Sequence, residues 1–128
     1  MTPANAPSLR ALVLFAHGSR EAAWAAPFRG VQRQIASQNP GLSVELAFLE
    51  MMEPGLPPTL ARLARAGVTK VTIAPLFMAQ GAHLRRDLTE MLAAARHAHP
   101  GMEIVLLPAV GEAQPVLDAI STWVARHA

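Results

Sequence analysis

Four apolar runs alternate with four segments of helical spacing along the chain. Residues 11–16, ALVLFA, are continuously apolar up to His17. A run of that kind predicts a strand covered on both faces. After HGSR, the positions Ala22, Ala23, Ala26, Phe28, Val31 and Ile35 recur at helical spacing, and Asn39, Pro40 and Gly41 close the segment. LSVELAFL at 42–49 predicts a second strand ending at Glu50. The Pro57-Pro58 pair then opens a helix in its first turn, with Leu60, Leu63 and Ala64 on one face and Gly67 as its stop.

VTKVTIAPLFM from Val68 predicts the third strand, followed by AQGAH and a helix with apolar positions 84, 88, 91, 92 and 95. MEIVLLP, from Met102, gives the fourth strand. Val116, Leu117, Ile120, Trp123 and Val124 line a last helix. Strands that alternate with helices imply right-handed crossovers and a parallel sheet. The fold class is therefore α/β: one four-stranded parallel sheet, βα repeated four times, with helices on both faces. A length of 128 residues suits one domain. The polar, Pro-containing start predicts a flexible N-terminus over 1–9 ahead of a single domain at 10–128.

Composition narrows the function. Cysteine is absent, so any metal site must use His, carboxylates or Met, and a reducing compartment is acceptable to the chain. Hydrophobic residues reach 52%, yet no run approaches the roughly 18 residues of a membrane span. The N-terminus lacks the charged and apolar regions of an export signal, so a soluble, cytoplasmic protein without a membrane partner is expected. Net charge is +2, and the arginines are scattered rather than gathered in a stripe, which argues against nucleic acid.

In open parallel sheets, ligands bind beyond the carboxyl ends of the strands. The residues expected there are His17 to Arg20, Glu50 to Glu53, Met78 to His83, and Pro108 to Glu112. His97, His99 and His127 instead fall near helix C-termini, where an imidazole suits the macrodipole without any functional role. His17 and His83, delivered to one edge with Glu50 or Glu53 nearby, offer nitrogen and oxygen ligands that Co, Fe, Ni or Zn accept. Two or three protein ligands leave positions open, which suits chemistry better than structure.

The chain carries AHGSR at 16–20, VELAFLE at 44–50 followed by Pro54, APLFMAQGAHLRRDL at 74–88 and HPGMEIVLLPAVG at 99–111. On these it resembles the short CbiX/SirB group of class II chelatases, which handle sirohydrochlorin in cobalamin and siroheme synthesis. The departures are Ala82, where many relatives have glycine, and Thr89, where proline is frequent. The resemblance implies His17 and His83 as metal-binding and catalytic residues and Glu50 as the acidic group beside them. It implies a divalent metal as substrate, Co²⁺ first and Fe²⁺ or Ni²⁺ after it, with no nucleotide or organic cofactor. Larger relatives hold the macrocycle between two such domains in one chain. A homodimer with its cleft between facing strand ends is accordingly expected here.

Ser19, Arg20, Arg85 and Met78 are the candidate substrate contacts. Arg20 opens a helix next to a proposed ligand, and Arg85 and Arg86 oppose a helix dipole unless an anionic substrate offsets them. Met51, Met52 and Met78 could line a flat apolar cleft. Two other classes compete: a His17-dependent phosphoryl-transfer enzyme, which would ordinarily show Arg where Ala16 stands, and a noncatalytic metal or tetrapyrrole carrier. A serine hydrolase is set aside because HGSR is not a Gly-x-Ser-x-Gly elbow.

Overall fold

A computed structural model describes residues 9–128. The segment expected to be flexible lies, apart from Leu9, outside the described residues. Strand β1 spans Arg10–Ala16, β2 Ser43–Phe48, β3 Lys70–Pro75 and β4 Glu103–Leu106. Helix α1 spans Ala26–Gln38, α2 Leu56–Arg65, α3 Ala82–Ala98 and α4 Gln114–Ala125. Short 3-10 turns at Ala22–Ala25 and Val110–Glu112 precede α1 and α4. All strand pairs are parallel, in the order β2-β1-β3-β4. Among the described residues no helix is long and apolar enough to cross a membrane.

The apolar runs become the buried centre. Val13, Phe15, Ala47, Val71 and Ile73 have no exposed surface and pack beneath Leu60 and Leu63 of α2 and Leu88 and Leu92 of α3. On the other face Leu14, Ala16, Leu46 and Phe48 pack against Trp24 and against Phe28 and Ile35 of α1. Helix α2 stops where its sequence signals: Gly67 takes φ +87, and the Val68 N–H reaches back to the Leu63 carbonyl at 3.1 Å.

Several boundaries differ from the sequence expectation: the first helical segment opens with the 3-10 turn at Ala22–Ala25, and the fourth strand, expected over 102–108, spans Glu103–Leu106. The third strand is shorter than 68–78, because Val68 is engaged in closing α2 and the chain past Leu76 leaves the sheet to meet Gly111. The third helix begins at Ala82, so His83 stands in its first turn rather than in a strand-end loop. The fourth helix forms where its spacing predicts, but none of its residues is buried.

The strand order makes a switch point. From β1 the chain adds β2 on one side, then crosses to add β3 on the other; β1 and β3 stay paired to their carboxyl ends, and α1 and α3, which follow them, lie on opposite faces of the sheet, the arrangement that makes a crevice beyond such strand ends.

Candidate metal centre

His17 follows β1 directly and is exposed at this crevice. The β1–β2 ladder runs past its last formal pair: Leu49 N–H donates to the Ala16 carbonyl at 2.8 Å and Glu50 N–H to the His17 carbonyl at 3.1 Å. That extension sets Glu50 beside His17, with Nε2 and Oε1 3.5 Å apart. The close approach depends on Gly18. Its φ is +98, and a Cβ there would overlap the Glu50 carbonyl oxygen. A side chain would be excluded twice, by backbone conformation and by space.

Both ring nitrogens of His17 face oxygen acceptors: Nδ1 lies 3.2 Å from the Gly18 carbonyl and Nε2 faces Glu50. A neutral imidazole has one N–H. If Nδ1–H donates to Gly18, the Nε2 lone pair opposes a carboxylate oxygen. A proton or a cation between them resolves that opposition. With ligand bonds of about 2.1 Å, two corners of a tetrahedral site lie about 3.4 Å apart, close to the observed spacing.

A second glycine organises the other half of the crevice. A Cβ on Gly111 would overlap the backbone of Met78, and the Gly111 N–H donates to the Phe77 carbonyl at 3.0 Å. The loop after β4 is thereby pressed onto the loop after β3. The sequence gives both glycines but not these contacts, because the partners lie far along the chain.

The remaining candidates are placed as follows. His83 is exposed in the first turn of α3 and makes no hydrogen bond or ion pair among the described residues. No three His, Asp or Glu side chains gather as a metal cluster among the described residues; of the proposed ligands, His17 and Glu50 are the two in contact. Ser19 Oγ accepts from the Glu21 N–H at 3.1 Å, which gives the hydroxyl a turn-forming role. Arg20 is exposed and unpaired among the described residues. Arg85 donates to Glu112 at 3.2 Å, a partner that sequence spacing did not reveal, whereas Arg86 has no such pair among the described residues. Met51 and Met78 are exposed, at 57% and 58%, while Met52 packs against the core. His97 and His99 lie at the end of α3, as expected.

Similarity to known proteins follows the same outline. The sirohydrochlorin cobaltochelatase of Methanococcus maripaludis is 36% identical over 84 residues, 66% of this chain and 58% of that protein. That of Methanopyrus kandleri is 32% identical over 82 residues, 64% of this chain and 57% of that protein. The matches thus span little more than half the length of these relatives. A solved CbiX protein from Marinobacter aquaeolei superposes with a TM-score of 0.78 at 30% identity, covering 92% of this chain and 96% of that one. The cobalt complex of the sirohydrochlorin chelatase SirB from Bacillus subtilis shares the fold, with a TM-score of 0.75 at 22% identity over 91% of this chain and 50% of that one. The CbiX family matches residues 11–126, from the first strand through the last helix, and the chain belongs to that family.

Proposed function

We propose that this chain inserts a divalent metal ion into sirohydrochlorin, with His17, His83 and Glu50 as its catalytic residues. The carrying observation is the His17–Glu50 pair, whose 3.5 Å spacing suits one ion held by both groups at the mouth of the switch-point crevice. The names of the matched relatives supply the macrocycle and the reaction class.

Insertion exchanges one M²⁺ for two pyrrolic protons. In this reading His17 and His83 hold the ion through neutral imidazoles, and the ring nitrogens displace them one by one. As the ion departs, the opposed Nε2 and carboxylate are ready to share one of the two ring protons, and the other passes to the His83 imidazole that the ion has vacated or to solvent. Exposure of both histidines keeps the ion exchangeable, which a substrate must be. Arg20 and Arg85 would pair with the macrocycle's carboxylates, Ser19 would support that contact, and Met78 would lie along its apolar face.

Two copies complete the site in this reading, each giving one wall of a cleft between facing strand ends. Co²⁺ is the preferred ion, with Fe²⁺ and Ni²⁺ as the alternatives. Cobalt insertion would serve cobalamin synthesis and iron insertion siroheme synthesis. The test is to follow the absorption spectrum of sirohydrochlorin with each ion in turn, with and without protein. Acceleration above the spontaneous rate is the expected result. Binding without acceleration would make the chain a carrier, which the two-donor site also allows, and hydrolysis of p-nitrophenyl phosphate instead would favour phosphoryl transfer.

A further inference from the structure

Among the described residues, a positive φ occurs at Gly18, Gly67 and Met51, at +98, +87 and +66. At two of these positions the chain uses glycine, which enters the left-handed region without steric penalty. At the third it keeps methionine, whose Cβ crowds the neighbouring carbonyl oxygen in that conformation. Close packing of a side chain can offset such strain. It does not do so here, because Met51 is 57% exposed.

The reversal of the backbone at Met51 belongs to the fold. Glu50, just before it, is still tied to the β1–β2 ladder through the His17 carbonyl. Met52, just after it, packs against the core cluster that α1 covers. The Phe48 N–H closes the base of the loop by donating to the Pro54 carbonyl at 2.9 Å. The chain must therefore turn at position 51, and a glycine would make that turn without strain. What a glycine would lack is the side chain. Strained residues of this kind collect at functional sites, and Met51 adjoins the His17–Glu50 pair.

Met78 is its counterpart. It follows β3, is 58% exposed and has its backbone fixed by the close approach of Gly111. In the order β2-β1-β3, Met51 and Met78 leave strands on opposite sides of β1, the strand whose end carries His17. Those outer strands are two spacings, about 10 Å, apart. That span is comparable to the breadth of a tetrapyrrole core. Thioether side chains are unbranched and polarizable, so they fit a flat apolar ring and follow it as it bends.

We propose that Met51 is a substrate contact, and that with Met78 it seats the macrocycle across β1, from the β2 end to the β3 end, with the ring centre over His17. The strain at position 51 then has a purpose: it holds an apolar side chain at the site where the fold alone would take glycine. The inference rests on the macrocycle reading above and names the ring's orientation and its apolar contacts.

The test titrates metal-free sirohydrochlorin into the wild-type chain, M51N, M51G and M51L, with Co²⁺ titrations and thermal melts alongside. Asparagine and glycine both accept the left-handed region, so these variants keep the turn and remove the apolar side chain. Leucine keeps the strain and the apolar surface together. Macrocycle affinity is expected to fall about 10-fold or more in M51N and M51G, the effect of losing one buried side chain of this size. In M51L it should stay within about threefold of wild type, since the swap conserves volume. Insertion assays should show the loss in KM more than in kcat. Co²⁺ affinity should match wild type in all three variants, and M51N and M51G should melt no lower than wild type. Unchanged macrocycle affinity in M51N and M51G would overturn the inference and leave the chelatase reading intact. An equal loss of Co²⁺ affinity would also overturn it, by making Met51 a support for Glu50, as would a lowered melting temperature, by making the side chain part of the fold. A wild-type chain that binds no macrocycle defeats both proposals.

Discussion

Glu50 is held beside His17 by the backbone: its N–H donates to the His17 carbonyl at 3.1 Å, which leaves its Oε1 3.5 Å from the imidazole Nε2. The backbone bond sets the side-chain spacing, so the geometry of the pair is a property of the β1–β2 ladder rather than of two free rotamers.

Replacing Glu50 by Gln keeps the size of the side chain and removes its charge. Metal insertion is expected to fall by about 10- to 100-fold, the range seen when groups that orient or support a metal ligand are lost. Stability should barely change, because both partners are about half exposed, at 51% and 50%, and such a pair contributes at most about 1 kcal/mol. Parallel insertion assays and thermal melts check this. A large fall in melting temperature with normal insertion would mean that Glu50 serves the fold instead.

Gly18 and Gly111 separate two reasons for needing glycine. Gly18→Ala meets both a positive φ and the Glu50 carbonyl, whereas Gly111→Ala meets only the Met78 backbone. The first should cost at least about 2 kcal/mol, since the left-handed conformation alone costs roughly 1–2 kcal/mol for an L-residue. It should also displace Glu50 and so impair metal binding. Gly111→Ala should shift the loop bearing Met78 while leaving the His17–Glu50 pair intact. Denaturant unfolding with Co²⁺ titration of each variant tells the two apart.

Much of this architecture is readable in the residues alone. ALVLFA becomes the buried β1, and the Gly67 stop and the Pro57-Pro58 start both mark real ends of α2. The start of α3 is less legible because Gly81 offers no side chain to cap it, so nothing in the sequence marks His83 as helical. Arg85 and Glu112 are brought together by loops from different strand ends, a relationship that spacing cannot encode. The stripe on α4 is plain in the sequence. Periodicity tells which side of a helix is apolar, but not whether the chain supplies a surface to cover it.

Glu112 already holds the Arg85 guanidinium at 3.2 Å, and in the proposed function it would compete with a substrate carboxylate for it. Arg85→Ala should therefore raise the KM for sirohydrochlorin with little change in melting temperature, because the pair is exposed and of little structural value. Glu112→Gln should act in the opposite direction, releasing Arg85 and lowering KM. Steady-state kinetics of both variants check this. A KM unchanged in both would remove Arg85 from the substrate contacts.

Whether His17 and His83 hold one ion is decided by a double-mutant cycle. Each histidine sits on a different element, and no hydrogen bond or ion pair links them among the described residues. Any energetic coupling must then pass through a shared ligand. If both bind the same ion, removing the first histidine already disrupts the site, and the second removal costs less than it does in the intact protein. Co²⁺ affinities of His17→Ala, His83→Ala and the double variant should then depart from additivity by roughly 0.5–3 kcal/mol, the range for groups with a common partner. Additive losses would assign the ion to the His17–Glu50 pair and leave His83 to act on the macrocycle. The cycle should be run on the protein at concentrations above and below those at which copies associate. Coupling found only in the associated form would mean that the two histidines around one ion come from different copies.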